Sequence, residues 1–398
     1  MYQYWLMDVL LSFLGSEGEG IIQILWFFSF IFFVFFGQKL MVTQTIWKIE
    51  KDVADMELVA AEARKKVEHA VALDKAGKIR VREFMDFFIV SPISTDPYGV
   101  MKKIDMFMRH SDQKFMNLVN EIAPGLDRIE KMNYKNSLAG AMTAHQIAKV
   151  VRHMLELIKK YKMLQLAMIL QMQIPMIKDM QKAAGKATEA FILGTPIGDG
   201  IGPIVAASLI PRRTRVKVDK ENEFAVATVK IAGKTVLVSK ANGPGASTGY
   251  PGRFLTQLGK RNRISKIITV DAALKMEGEK TGIVREGVGV AMGGNGADRF
   301  EIENFAVKNR IPVDAVAIKM SNRQALESMD KKLLQSVPEA IEKVKRAVKS
   351  SKGKVLIIGV GNTCGVGNTL NDLKETLASV KKHSPKKKIK KKKFLGRF

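Results

Sequence analysis

Two acids in this chain stand where acid–base chemistry could be done. Asp199 lies in Gly194-Thr195-Pro196-Ile197-Gly198-Asp199-Gly200-Ile201-Gly202-Pro203, a glycine loop between an expected strand at Phe191 to Leu193 and a helix over 202 to 210. Glycines on both sides of the acid allow close backbone approach. Asp271 follows Ile264 to Val270, a β-branched run that reads as a strong strand. Ligands of open α/β sheets bind beyond the carboxyl ends of strands, so both acids fall at candidate catalytic positions. Two nearby carboxylates resist ionising together; one keeps a proton as the acid while the other serves as base. Glu277 and Glu279 stand in reserve. The plainer alternatives are a helix N-cap for Asp199 and an Asx-type turn closing the strand for Asp271.

Two further loops are rich in glycine. Asn242 to Gly249 offers Gly243, Gly245, Ser247 and Thr248 as a possible anion-binding, cofactor-type loop, although it has neither the Gly-Lys-Ser/Thr ending of a P-loop nor the spacing of a dinucleotide fingerprint. Gly359 to Asn368 could form a nucleotide-binding turn. Gly198, Gly200 and Gly243 would shape a cleft around the acids. The five histidines, His69, His110, His145, His153 and His383, all lie outside residues 191 to 378. A Ser-His-Asp, Cys-His or His-rich zinc site within that stretch is therefore excluded, and no metal ligand set is assigned. The cofactor stays unknown.

The elements that would carry these loops alternate. Strands are expected at Phe224 to Ile231, Thr235 to Ser239, Ile264 to Val270, Val288 to Met292, Val313 to Lys319 and Lys354 to Val360, with a hairpin at Ala232-Gly233-Lys234. Helices are expected at 251 to 261, 298 to 310, 322 to 333 and 338 to 350. Such alternation predicts an α/β domain over 191–378 with a mainly parallel sheet. Residues 81–190 are rich in Met and Leu and read as a helical domain broken at Pro92, Pro97, Pro124 and Pro175. Its methionines between 163 and 180 are expected to fill an irregular core, with a partner groove as the alternative.

Residues 47–80 read as a charged helical stalk. Residues 21 to 36 carry no charge, Gly37 and Leu40 to Ile46 extend the apolar run past Lys39, and together they predict an N-terminal transmembrane helix within a membrane anchor over 1–46, with residues 2 to 14 in the interface. Lys39, Lys48, Lys51, Arg64, Lys65 and Lys66 follow the apolar run, placing the C-terminal part in the cytoplasm of a single-pass protein. The net charge is +26, and residues 381 to 398 hold ten Lys or Arg and no acid. A disordered basic tail over 379–398 is expected, with ribosome, RNA or anionic lipid as its partner. The single cysteine, Cys364, rules out an internal disulfide.

The loop around Asp199, the strand end Val270-Asp271-Ala272 and the later Gly287-Val288-Gly289-Val290 resemble the germination protease and hydrogenase maturation protease superfamily. The resemblance covers about residues 190 to 370 and implies a hydrogenase maturation protease-like α/β sandwich with Asp199 and Asp271 as its paired acids. In the hydrogenase branch the corresponding acids bind nickel with a His that this stretch lacks, so the likeness favours the two-carboxylate branch. The overall layout also resembles a family of uncharacterised archaeal membrane proteins defined only as a domain of unknown function. Together these imply a membrane-anchored hydrolase of endopeptidase type acting on a protein or peptide. The rival readings are a non-enzymatic membrane adaptor working through the basic tail and a nucleotide-binding regulator.

Overall fold

A computed structural model describes residues 19–89, 99–294 and 296–383. The basic tail from 384 onward, residues 2 to 14, Pro92 and Pro97 lie outside the described residues. The described chain forms two compact units, one from parts of 1–58 and 147–178, the other from parts of 59–146 and 179–398.

The first unit is helical. It takes in portions of α1 (Glu19–Ala70), α4 (Arg128–Tyr161) and α5 (Leu164–Ile192). Apolar side chains three or four residues apart bury one stripe of each: Ile49, Val53 and Met56 on α1, Val151, Leu155 and Ile158 on α4, and Ala167, Leu170 and Ile174 on α5. At the rim Arg152 grips Glu57 through two hydrogen bonds of 2.8 and 2.7 Å, and Lys178 reaches Asp52 and Asp55.

Three expectations are corrected in this unit. Among the described residues no helix is long and apolar enough to cross a membrane, which overturns the N-terminal transmembrane helix and the single-pass topology built on it. The uncharged residues 21 to 36 rise only about 24 Å at 1.5 Å per residue, short of a ~30 Å hydrocarbon core, and the apolar extension to Ile46 has the charge of Lys39 inside it. The helix then continues unbroken past Lys39, Lys48 and Glu50. Pro175 lies inside α5 instead of ending it, because packing of Leu170 and Ile174 outweighs one lost ladder bond. Met168, Met172 and Met176 are exposed four residues apart, so they face outward while Ala167, Leu170 and Ile174 fill the core.

In the second unit, α2 (Lys75–Phe84) and α3 (Val100–Ile122) pack with segments of the long helices around Val67, Val81, Phe115, Leu118 and Leu138. The Tyr134 hydroxyl donates to the Val67 carbonyl at 3.0 Å, and burial raises its pKa. Residues 191 to 193, expected as a strand, close α5.

Beyond them come α6 (Ile201–Ser208), β1 (Val216–Asp219), β2 (Phe224–Ile231), β3 (Lys234–Ala241), α7 (Pro251–Arg261), β4 (Lys266–Leu274) and β5 (Val284–Val288). The rest is α8 (Ala297–Lys308), β6 (Val313–Met320), α9 (Asn322–Leu326), α10 (Lys331–Leu334), α11 (Val337–Lys349), β7 (Val355–Gly359) and α12 (Leu373–His383). Among the described residues seven strands form one sheet in the order β1-β2-β3-β7-β4-β6-β5. Strands β3, β7, β4 and β6 run parallel, whereas β1, β2 and β5 join antiparallel.

The expected mainly parallel sandwich is thus corrected to a mixed sheet in a chain that is mostly helical. Two short connections are responsible. The turn at Ala232 and Gly233, both with positive φ, folds β3 back on β2. The short link 275–283 turns the chain back after β4, and β5 takes the sheet edge antiparallel to β6, which lies between them. Strand alternation sorts the core into two layers. Val236, Val238, Ile268, Val270, Val355 and Ile357 share one layer with α6 and α11, and Leu237, Ile267, Leu356 and Ile358 share the other with α7 and α8.

Candidate functional site

Above the carboxyl ends of β4 and β7 opens a cavity of about 230 Å³, walled by the loops that follow β3, β5 and β7 and lined by Asp199, Asp271, Asp298, Thr248, Gly249, Pro251, Met292, Val360 and four further glycines. This is where the carboxyl-end rule for α/β sheets places a ligand.

Period two along β4 sets Asp271 on the face of Ile267 and Thr269, toward α7 and α8. The strand does not stop at Val270 but runs to Leu274, paired throughout with β6. Asp271 is therefore a buried strand residue and not a turn residue. Its carboxylate accepts from Ala272 N at 2.6 Å and from Gly293 N at 3.3 Å. Burial holds its pKa well above the ordinary carboxylate range, and the charge of Asp199 raises it further against those two bonds.

Asp199 lies in a single 3-10 turn, Gly198–Gly200, directly before α6. Its side chain caps neither the turn nor the helix. It reaches across to the loop after β7, where Asn362 N donates to Oδ2 at 2.8 Å. Burial raises its pKa and that bond partly offsets the rise. Glycine makes the approach possible: a Cβ on Gly202 would stand 2.2 Å from the Val360 carbonyl and 2.4 Å from that of Val270. The first turn of α6 thus rests on the ends of β7 and β4 and delivers Asp199 beside Asp271.

Sequence reasoning missed the third acid. Asp298, in the first turn of α8, accepts from Gly252 N at 3.0 Å and has its pKa raised by burial. The run Gly293-Gly294-Asn295-Gly296 just before it was the available signal. Asn362 was also missed as the donor to Asp199, since the glycines around it suggested a ligand loop.

Of the four anion-loop candidates, only Thr248 reaches the cavity, beside Gly249 at the end of the loop. Gly243 N donates to Asn368, Ala246 N to Asn133, and Ser247 Oγ to Glu223, so these donors are spent inside the protein. Gly245 packs against Met132. Neither Glu277 nor Glu279 lines the cavity, and Glu279 accepts from Met276 N in its own turn. Cys364 is buried with its thiol pushed up to about 12, which leaves it unreactive at neutral pH. Among the described residues no group of three or more His, Cys, Asp or Glu is placed to hold a metal ion, so the three aspartates share a cavity without converging on one point.

The raised acids carry a stability signature. Native Asp271 keeps a proton that the unfolded chain releases near pH 4, so its contribution to stability is lost as pH rises from about 4 through its native value. Asp271→Asn removes that loss. Urea unfolding should show the variant gaining on wild type as pH rises from 4 to 7, and a gain independent of pH would contradict the assignment.

Two family models match the chain, the "Protein of unknown function (DUF1512) N-terminal domain" over residues 23–194 and the "Domain of unknown function (DUF1512) C-terminal" over residues 197–367. No curated protein matches it.

Proposed function

The chain belongs to the DUF1512 family, whose two domains cover most of it, and on that premise we propose that its C-terminal domain is a hydrolase of small molecules. Asp271 is the general acid and Asp199 the base that activates water. The observation that carries this reading is that the two buried acids line one cavity, where burial first and the charge on Asp199 second favour a proton on Asp271. One fold then holds the two protonation states that addition of water to a polarised bond requires. The likeness of the two loops to the germination protease superfamily supports the pairing.

The scale of the site narrows the substrate. At about 230 Å³ the cavity falls below the ~300–1,000 Å³ of sites for drug-sized ligands, so the expected endopeptidase gives way to a smaller substrate. Among the described residues three aspartates and no basic side chain line it, which disfavours phosphates and carboxylates and suits a neutral or cationic molecule.

Carboxyl NMR tests the pair without a substrate. Wild type should show one aspartate titrating well above the ordinary range. Asp199→Asn should lower that value, because it removes the neighbouring charge. An Asp271 titration indifferent to Asp199→Asn would show the acids to be uncoupled and end the reading.

A further inference from the structure

One buried titratable side chain of this domain takes no part in the chemistry above. Lys240, next to last in β3, is fully buried and shares the sheet face of Val236 and Val238, opposite to Asp271. Its Nζ donates to the Ala241 carbonyl at 2.7 Å and to Asn368 Oδ1 at 2.8 Å. The same Oδ1 accepts from Gly243 N at 3.1 Å, and Asn368 Nδ2 donates to Asn242 Oδ1 at 2.9 Å. A single amide thus gathers the end of β3, the loop 242–249 and the loop 360–368.

Those loops are joined further along by Thr363 N to the Ser247 carbonyl at 2.9 Å, Gly365 N to the Pro244 carbonyl at 2.8 Å, and Thr363 Oγ1 to the Gly245 carbonyl at 2.8 Å. They are also two walls of the cavity, through Thr248 and Gly249 on one side and Val360 and Gly361 on the other. The second loop carries Asn362, the donor to Asp199.

We infer that Lys240 is a positioning residue of the acid-pair site, a proton-operated latch that holds loops 242–249 and 360–368 together and releases them when its amine is protonated. Its consequence for catalysis rests on the acid-pair reading; the latch itself does not. The surroundings of Lys240 hold little charge. Its register partners are Ala225 on β2 and Gly359 on β7. The charged group that acts on it is Asp372, whose Oδ2 already accepts from Asn368 N, Thr369 N and Thr369 Oγ1. Burial lowers the pKa of Lys240 to about 7, with Asp372 pulling the other way.

When the loops part, the amine regains water and its ordinary value near 10.5, so opening takes up a proton. The sign follows. Between about pH 7 and 10.5 opening becomes rarer as pH rises, by at most about tenfold per pH unit for one proton, and below pH 7 the slope vanishes. Asp199 and Asp271 have raised values and act with the opposite sign, so the direction of the slope separates the two sources.

Hydrogen exchange on the full chain without substrate, from pH 6 to 9, tests this at the Thr363 and Gly365 amides. Opening equilibria, corrected for intrinsic exchange, should be flat to about pH 7 and then fall by up to about tenfold per unit. Lys240→Met should abolish the slope. Wild-type equilibria that ignore pH, or a slope that survives in Lys240→Met, would overturn the latch. If that variant does not fold, the wild-type series decides alone. A latch that passes while Asp199 and Asp271 prove uncoupled would leave Lys240 positioning these loops for some other chemistry.

Discussion

Asp271→Asn should lower hydrolysis of any substrate found for this cavity by about 10²–10⁴-fold, the usual worth of a positioned acid or base, while making the protein more stable at neutral pH. Both effects have one cause. Burial and the Asp199 charge make ionised Asp271 costly to the fold, and that same cost keeps a proton on it for donation. The amide keeps an oxygen to accept from Ala272 N but has no acidic proton. Relieving such a functional strain commonly adds about 0.5–2 kcal/mol. Screening small amides, esters and N-glycosides for turnover, together with urea midpoints at pH 7, reads both. Unchanged turnover of a substrate that wild type hydrolyses would remove Asp271 from the chemistry. Lost turnover with lost stability would make it a structural residue.

The sequence made the acids and most of the strands legible because both depend on local pattern. The β-branched runs at Phe224 to Ile231 and Val313 to Lys319 alternate and are bounded by turn residues, and they form β2 and β6 nearly as read. What escaped depends on distance along the chain. Asn362 meets Asp199 across 163 positions, and nothing local to either residue announces it. Asp298 joins the cavity only because α8 packs beside α7, and Lys240 looks like any strand lysine until Asn368 closes over it. The apolar run at 21 to 36 misled for a different reason: it was judged on composition, whereas its uncharged length is only about 24 Å before Lys39 and no described helix is long and apolar enough to cross a membrane.

The heaviest cost of any glycine substitution near the site should fall on Gly361→Ala. Its φ is +127°, a conformation open in practice only to glycine, and a Cβ there would stand 2.0 Å from the Asp199 carbonyl oxygen and 3.3 Å from its Oδ2. Strain and overlap therefore add, and the overlap is with backbone, which cannot rotate away. Gly233 in the hairpin separates the two contributions. Its φ is +78° but no described residue beyond its two chain neighbours comes within 4 Å of its missing Cβ, so Gly233→Ala should cost only the left-handed strain, about 1–2 kcal/mol. Gly361→Ala should exceed about 4 kcal/mol in urea unfolding, in the range kept for severe overpacking. In whatever fraction still folds, Asp199 must move, so the raised Asp271 titration should fall toward the ordinary carboxylate range. Equal losses for the two variants would mean that the loop after β7 yields freely, and a wall that yields could not hold two carboxylates in one protonation state each.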